Sequence, residues 1–175
     1  MSRLKTTVNS SDHHQGNMGA TITLVEYGDF ECPYCLEARS VIETVKRTEG
    51  DKLKFVFRNF PLSQVHLHAL HAAYAAEAAA KQGKFWGMHD LLFDNQPAFE
   101  DGDLTTYAQN LGLDMQQFTE DMKSEEIAKK VKDDFLSGVK SGVNGTPTFF
   151  INGVHFNQPS EAEFLQEAIE SAAKN

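Results

Sequence analysis

Residues 21–35 read Thr-Ile-Thr-Leu-Val-Glu-Tyr-Gly-Asp-Phe-Glu-Cys-Pro-Tyr-Cys, and the fold follows from how this stretch is divided. Ile22, Leu24 and Tyr27, interleaved with β-branched Thr21, Thr23 and Val25, favour a strand. Apolar side chains on both of its faces suit a central strand covered on two sides. Gly28-Asp29 stops it. Cys32-Pro33-Tyr34-Cys35 then opens a helix, because a proline in the first turn removes no bond the helix would have made. Leu36, Val41, Ile42 and Val45 continue it as an apolar stripe, and Gly50 ends it. Leu53-Lys54-Phe55-Val56-Phe57-Arg58 alternates as a second strand and stops before Pro61. Two strands joined by one helix through short connections predict parallel neighbours with a right-handed crossover, and so an α/β fold.

Beyond Pro61 the pattern changes. Residues 62–142 contain no convincing strand. Eight of the twelve residues Ala69–Ala80 are alanine, the best helix former, with Gly83 as terminator. Phe85, Trp86, Met88, Leu91, Leu92 and Phe93 form another apolar helix, the aromatic ones fitting a core better than a binding box. Asp103 and Asp114 are expected as N-caps of two short helices. Ile127, Val131, Phe135 and Val139 recur every fourth position on a longer amphipathic helix ending near Gly142. Strand character returns in Thr148–Ile151 and Val154–Phe156, with Asn152-Gly153 between them as a hairpin turn. Ser160 and Glu163 read as a capping box for a final helix carrying Phe164, Leu165, Ala168 and Ile169. The expected organisation is a polar tail over 1–20, β-α-β over 21–61, a helical insertion over 62–142 and β-β-α over 143–175.

Composition narrows the function. The 175 residues suit about one domain, and 41% hydrophobic residues, 13 of them Phe, suffice for a core. Sixteen Lys and Arg against 25 Asp and Glu give a net charge of −9. That balance disfavours nucleic-acid binding, which needs cations to displace counterions, and docking on anionic lipid. No apolar run approaches the roughly 20 residues of a membrane span. The first twenty residues lack the apolar middle of an export signal, so a cytoplasmic location is expected, or a periplasmic one where an export signal has been removed.

The two cysteines, three positions apart, carry the chemistry. On one helical turn their sulfurs come close enough to form a disulfide. Exchange requires a populated thiolate that is also a good leaving group. Cys32, at the predicted helix N-terminus, meets unpaired N–H groups and the helix dipole, which can lower a thiol from about 8.5 to roughly 3.5–7.5. Cys35, one turn in, is more shielded. Cys32 therefore reads as the nucleophile and Cys35 as the resolving thiol, with Pro33 and Tyr34 tuning the helix terminus. Three alternatives stand beside this. The pair is half of a zinc site completed by histidines from among His13, His14, His66, His68 and His71; the cysteines are inert core residues; or they form a structural bond, which a four-residue loop makes weak.

A second motif, Val143-Asn144-Gly145-Thr146-Pro147-Thr148-Phe149-Phe150, puts a proline at the opening of a strand, where no ladder donor is lost. Both isomers of Thr146–Pro147 are open on these residues alone. A cis bond would turn the chain and offer the Thr146 backbone to an extended peptide.

Glu26, C-P-Y-C and G-T-P-T-F-F-I-N-G together resemble the thioredoxin superfamily, and more narrowly the DsbA-like thiol:disulfide oxidoreductases, which carry a helical block inserted in a thioredoxin fold. V-E-Y-G-D-F-E-C-P-Y-C is similar to DsbA-like bacterial thioredoxin-domain proteins, and the resemblance runs from about Ala20 to Ala173. It implies Cys32 as the attacking cysteine, Cys35 as the resolving one, and Pro147, after Thr146, as a cis-proline facing them at the substrate site. It also implies a buried acid at Glu26. Such an acid would exchange protons with Cys35 if burial raises its pKa, and is otherwise a partly exposed strand acid.

His68 and His71 share a helical face and His66 points elsewhere; together they would hold a metal or line a groove, or stand as ordinary histidines. Asp133-Asp134 and Glu125-Glu126 read as solvated faces. The expected activity is thiol:disulfide exchange with cysteine-containing protein substrates and a separate redox partner, with no metal and no organic cofactor. Rival readings are a non-catalytic peptide- or zinc-binding module and a dimeric disulfide isomerase.

Overall fold

The computed structural model describes residues 2–174. Their elements run β1 (His13–Gly16), β2 (Ile22–Gly28), α1 (Pro33–Glu49), a 3-10 turn (Gly50–Lys52), β3 (Leu53–Asn59), α2 (Ala69–Lys81), α3 (Phe85–Asp94), α4 (Asp101–Asn110), α5 (Met115–Asp121), α6 (Glu125–Lys140), β4 (Thr148–Ile151), β5 (Val154–Phe156) and α7 (Ala162–Ala172). They form two compact units. One takes in the N-terminal segment through Gly28, then Pro33–Arg58, then Ser137 onward; the other comprises Asp29–Cys32 and Asn59–Leu136.

The first unit is built on a sheet of order β1-β3-β2-β4-β5 among the described residues. Central β2 is buried almost throughout, which its continuous apolar run requires. It pairs antiparallel with β4 from Leu24↔Ile151 to Tyr27↔Thr148. Asn152 and Gly153 both take positive φ, 47° and 77°, the geometry a two-residue hairpin demands. Helix α1 buries Cys35, Ala38, Ile42 and Val45, one stripe at spacings of three and four. It touches α7, which in turn lies against β4. The fold is that of thioredoxin, α/β with an additional helical unit.

Residues 2–20 depart from the tail expected over 1–20. His13–Gly16 pairs antiparallel with β3, from His13↔Phe57 to Gly16↔Lys54. Further upstream, Leu4 N–H donates to Gly153 O (2.9 Å) and Ser2 Oγ–H to Ser141 O (2.6 Å). His-His-Gln-Gly has no apolar alternation to mark it as a strand; backbone pairing holds it, as suits a polar edge strand. Gly16 is required there: at φ 90°, a Cβ would lie 2.4 Å from Leu53 O. β3 also departs from simple alternation, since its last five residues are all buried, Arg58 and Asn59 included. Each has polar partners. Arg58 donates to both Asp12 oxygens (2.8 and 2.9 Å), to Thr6 O, Thr7 O and Tyr27 Oη, using every guanidinium N–H.

The second unit is helical. Alanines of α2 are buried nearly all round the helix, and small side chains let α3, α4 and α5 approach it closely. Two caps differ from expectation. Glu100, not Asp103, caps α4, with Asp103 in the reciprocal N3 position of the capping box. Helix α7 begins after Glu161 without a side-chain cap, so Ser160 and Glu163 form no box. Asp114 does cap α5, accepting from Gln117 N–H at 2.9 Å. Asp134 is not a solvated acid. It is buried, accepting from Asn59 N–H and Nδ2 (3.1 and 3.0 Å) and from Lys130 Nζ (2.6 Å). Among the described residues no helix is long and apolar enough to cross a membrane.

Candidate active site

Cys32 closes a tight turn, Asp29–Cys32, that one side chain organises. Asp29 is buried at the point where β2 runs out. Its carbonyl accepts from Cys32 N–H (3.1 Å), and its Oδ1 from Glu31 N–H (2.8 Å). Its Oδ2 accepts from Leu62 N–H (2.9 Å) and from His66 Nδ1 (2.8 Å). Glu31 accepts from His68 N–H at 2.7 Å. From the other direction Gln96 Nε2 donates to the carbonyls of Phe30 (2.6 Å) and Cys32 (3.1 Å). Phe30 anchors the turn, its ring 5.1 Å from Phe93 and 5.7 Å from His89. Cys32 itself is 3% exposed.

Pro33 is the first helical residue of α1, as a first-turn proline should be, and is exposed. Tyr34 is 68% exposed, whereas Cys35 is fully buried. Glu26 is buried in β2 opposite Phe149. The register that pairs Tyr27 with Thr148 puts Pro147 at the end of the sheet where β2 finishes. The Thr146–Pro147 bond is cis, as is Gln96–Pro97, and Thr146 and Pro147 are half-buried.

Residues 8–171 match the Thioredoxin family. This chain belongs to the thioredoxin family. Among solved structures, a thioredoxin-like oxidoreductase from Silicibacter pomeroyi superposes with a TM-score of 0.85 at 28% identity, covering 95% of each chain. BdbD from Bacillus subtilis superposes at 0.86 with 25% identity over 99% of each. Alpha-DsbA1 from Wolbachia pipientis, at 22% identity and 0.80, shares the fold. Curated relatives include the Na(+)/H(+) antiporter NhaA 1 of Mycolicibacterium vanbaalenii, 42% identical over 93% of this chain, and NhaA 3 of Salinispora tropica, 42% identical over 92%. The chain spans 27% and 24% of their lengths, about a quarter.

On this DsbA-type thioredoxin fold, the Cys-x-x-Cys pair supports thiol–disulfide exchange. The histidines do not converge. His66 sits on Asp29, His68 Nε2 lies 3.6 Å from Glu100, and His71 Nδ1 lies 3.4 Å from Asp101. Among the described residues, no three His, Cys, Asp or Glu side chains gather as a metal site. His66 is the electrostatically notable one. Burial alone would lower its pKa, but the hydrogen bond and charge of Asp29, with Cys32 and Glu31 adding, raise it above 6.5. Sequence reasoning saw His66 but missed Asp29 and Gln96, whose contacts with His66 and Cys32 span 37 and 64 residues.

Proposed function

We propose that this chain is a thiol:disulfide oxidoreductase acting on cysteines of protein substrates, with Cys32 as nucleophile and Cys35 as resolving thiol. The observation that carries it is the placement of the pair: Cys32 in the turn that leads into α1 and Cys35 in the helix's first turn, both of them buried. In the oxidising direction a substrate thiolate bonds to Cys32 Sγ and breaks the Cys32–Cys35 bond. Cys35 leaves with the electron pair and takes a proton. A second substrate thiolate then attacks the substrate sulfur of the mixed disulfide, and Cys32 departs as a thiolate. Two electrons pass from substrate to protein, with no organic cofactor in the exchange. In the reducing direction Cys32 attacks a substrate disulfide, and Cys35 resolves the adduct once its proton is removed.

Buried Glu26 is the candidate to take and return that proton, and Thr146 with Pro147 the place where substrate backbone docks. A separate redox protein restores the starting state; in a cytoplasmic setting the reducing direction is the natural one. Sodium–proton exchange forms no part of the proposal, since that name belongs to relatives about four times longer.

The test is disulfide exchange with a reduced and an oxidised peptide substrate, together with two variants. Cys35→Ser is expected to accumulate a covalent mixed disulfide, and Cys32→Ser to form none. A Cys32→Ser protein as active as the wild type would overturn the reading.

A further inference from the structure

Cys32 and His66 are both fastened to Asp29, one through the backbone and one through the side chain. Asp29 O accepts from Cys32 N–H at 3.1 Å, and Asp29 Oδ2 accepts from His66 Nδ1 at 2.8 Å. The Asp29 carboxylate is wholly buried, so its charge is compensated by its donors rather than by solvent. Because an ionised carboxylate only accepts, Nδ1 carries the proton of the neutral ring, and protonation to the imidazolium takes place at Nε2. His66 remains about one-fifth exposed at its side chain, so it can exchange that proton with water.

We propose that His66, seated on Asp29, is a positioning residue whose imidazolium charge stabilises the Cys32 thiolate and thereby makes the Cys32–Cys35 disulfide the more oxidising. The inference rests on the exchange reading above, and adds to it a charge supplied from outside the Cys-x-x-Cys helix. The charged groups around His66 are Asp29, Glu31 and Cys32, all from the turn packed against it. On its own segment stands His68, whose N–H is held by Glu31 and whose ring faces Glu100 of α4. Asp29 and Glu31 are acids, so both favour the charged imidazole. A thiolate at Cys32 adds to them; a disulfide does not. Coupling between two sites is reciprocal. Ionisation of Cys32 must therefore raise the pKa of His66 by as much as imidazole protonation lowers that of Cys32, and only the reduced pair can ionise.

This reciprocity gives a test on the unaltered protein. The His66 ring is titrated by NMR in the dithiol and in the disulfide state, and the pKa is expected to be higher in the dithiol. Equal values in the two states would overturn the proposal. A second arm follows Cys32 ionisation by thiolate absorbance in His66→Gln. Loss of the cation is expected to raise the Cys32 pKa, read as a roughly tenfold smaller thiolate-to-thiol ratio. The potential of the pair should then fall by about 30 mV. A Cys32 titration and potential identical to the wild type's, with exchange activity retained, refutes His66 and leaves the exchange reading standing. Absence of exchange in the wild type sinks that reading, while both titrations still report whether His66 and Cys32 are coupled.

Discussion

Replacing Asp12 by alanine removes the anion that two of the five N–H groups of Arg58 are donated to. The Arg58 and Asp12 side chains are 2% and 3% exposed, so the vacated place is shielded from bulk solvent. Arg58 would keep Thr6 O, Thr7 O and Tyr27 Oη, three neutral acceptors, for a guanidinium that cannot shed its charge. Breaking a buried, hydrogen-bonded pair from one side costs about 3–5 kcal/mol, a large share of a typical stability of about 5–15 kcal/mol. At about 2–4 °C per kcal/mol for a chain of this size, the melting temperature should fall by about 6–20 °C. Urea denaturation followed by circular dichroism measures the first quantity, and a thermal scan the second. Hydrogen exchange should show β1 amides losing protection ahead of β2, because Asp12 also holds the chain entering β1 by accepting from Asn9 N–H (2.9 Å). Adding Arg58→Met to the same protein removes the stranded cation, and should recover most of the loss. A loss below about 1 kcal/mol, the value of a solvent-exposed pair, would refute the account of Arg58 as a buried charge dependent on this segment.

Two further perturbations test other parts of the fold. Gly28→Ala would place a Cβ 2.4 Å from Phe57 Cε2, on a ring too buried to move aside, and is expected to cost about 1–3 kcal/mol by urea denaturation. Asp134 has a pKa raised above 3.8, first by burial and then by Glu77, against Lys130 and the Asn59 N–H, which lower it. A carboxyl raised on folding contributes its stability below its unfolded pKa and loses it as pH climbs through the folded value. Wild-type stability relative to Asp134→Asn should accordingly decline from about pH 4 towards neutrality, and a difference independent of pH would contradict the shift.

Much of this was legible in the chain because it is written in local periods. The run Ile22–Tyr27, the first-turn proline at Pro33 and the Asn152-Gly153 turn each impose their conformation over a few residues, and the alanines of α2 do so over three turns. What stayed hidden is carried by partners far apart in sequence. Asp134 reads with Asp133 as part of a solvated face, and its burial is visible only once Asn59, 75 residues away, is seen to donate to it. Arg58 reads as the polar end of an alternating strand until Asp12 arrives from 46 residues upstream. β1 has no apolar signal at all, since its contribution is backbone pairing. In the candidate site the same division holds: Cys32, Pro33 and Cys35 announce themselves by spacing, while Asp29 reads as a mere strand terminator.

That division bears on how the site can vary. Asp29 accepts four hydrogen bonds, three at its carboxylate and one at its carbonyl, from Glu31, Leu62, His66 and Cys32. An asparagine there would present an N–H₂ where acceptors are needed, and would leave a buried donor facing other donors. Pro33 and Tyr34, by contrast, face solvent between the two sulfurs and are bound to no such set. Substitution at Tyr34 can alter what approaching substrate meets with little cost to folding, because an exposed position away from caps and networks usually changes stability by no more than about 0.5 kcal/mol. The fixed geometry of Cys32 and the adjustable surface beside it are thus assigned to different residues. The backbone of Cys32 is held from Asp29 and Gln96, outside the motif, and the dipeptide within the motif lies outside that network.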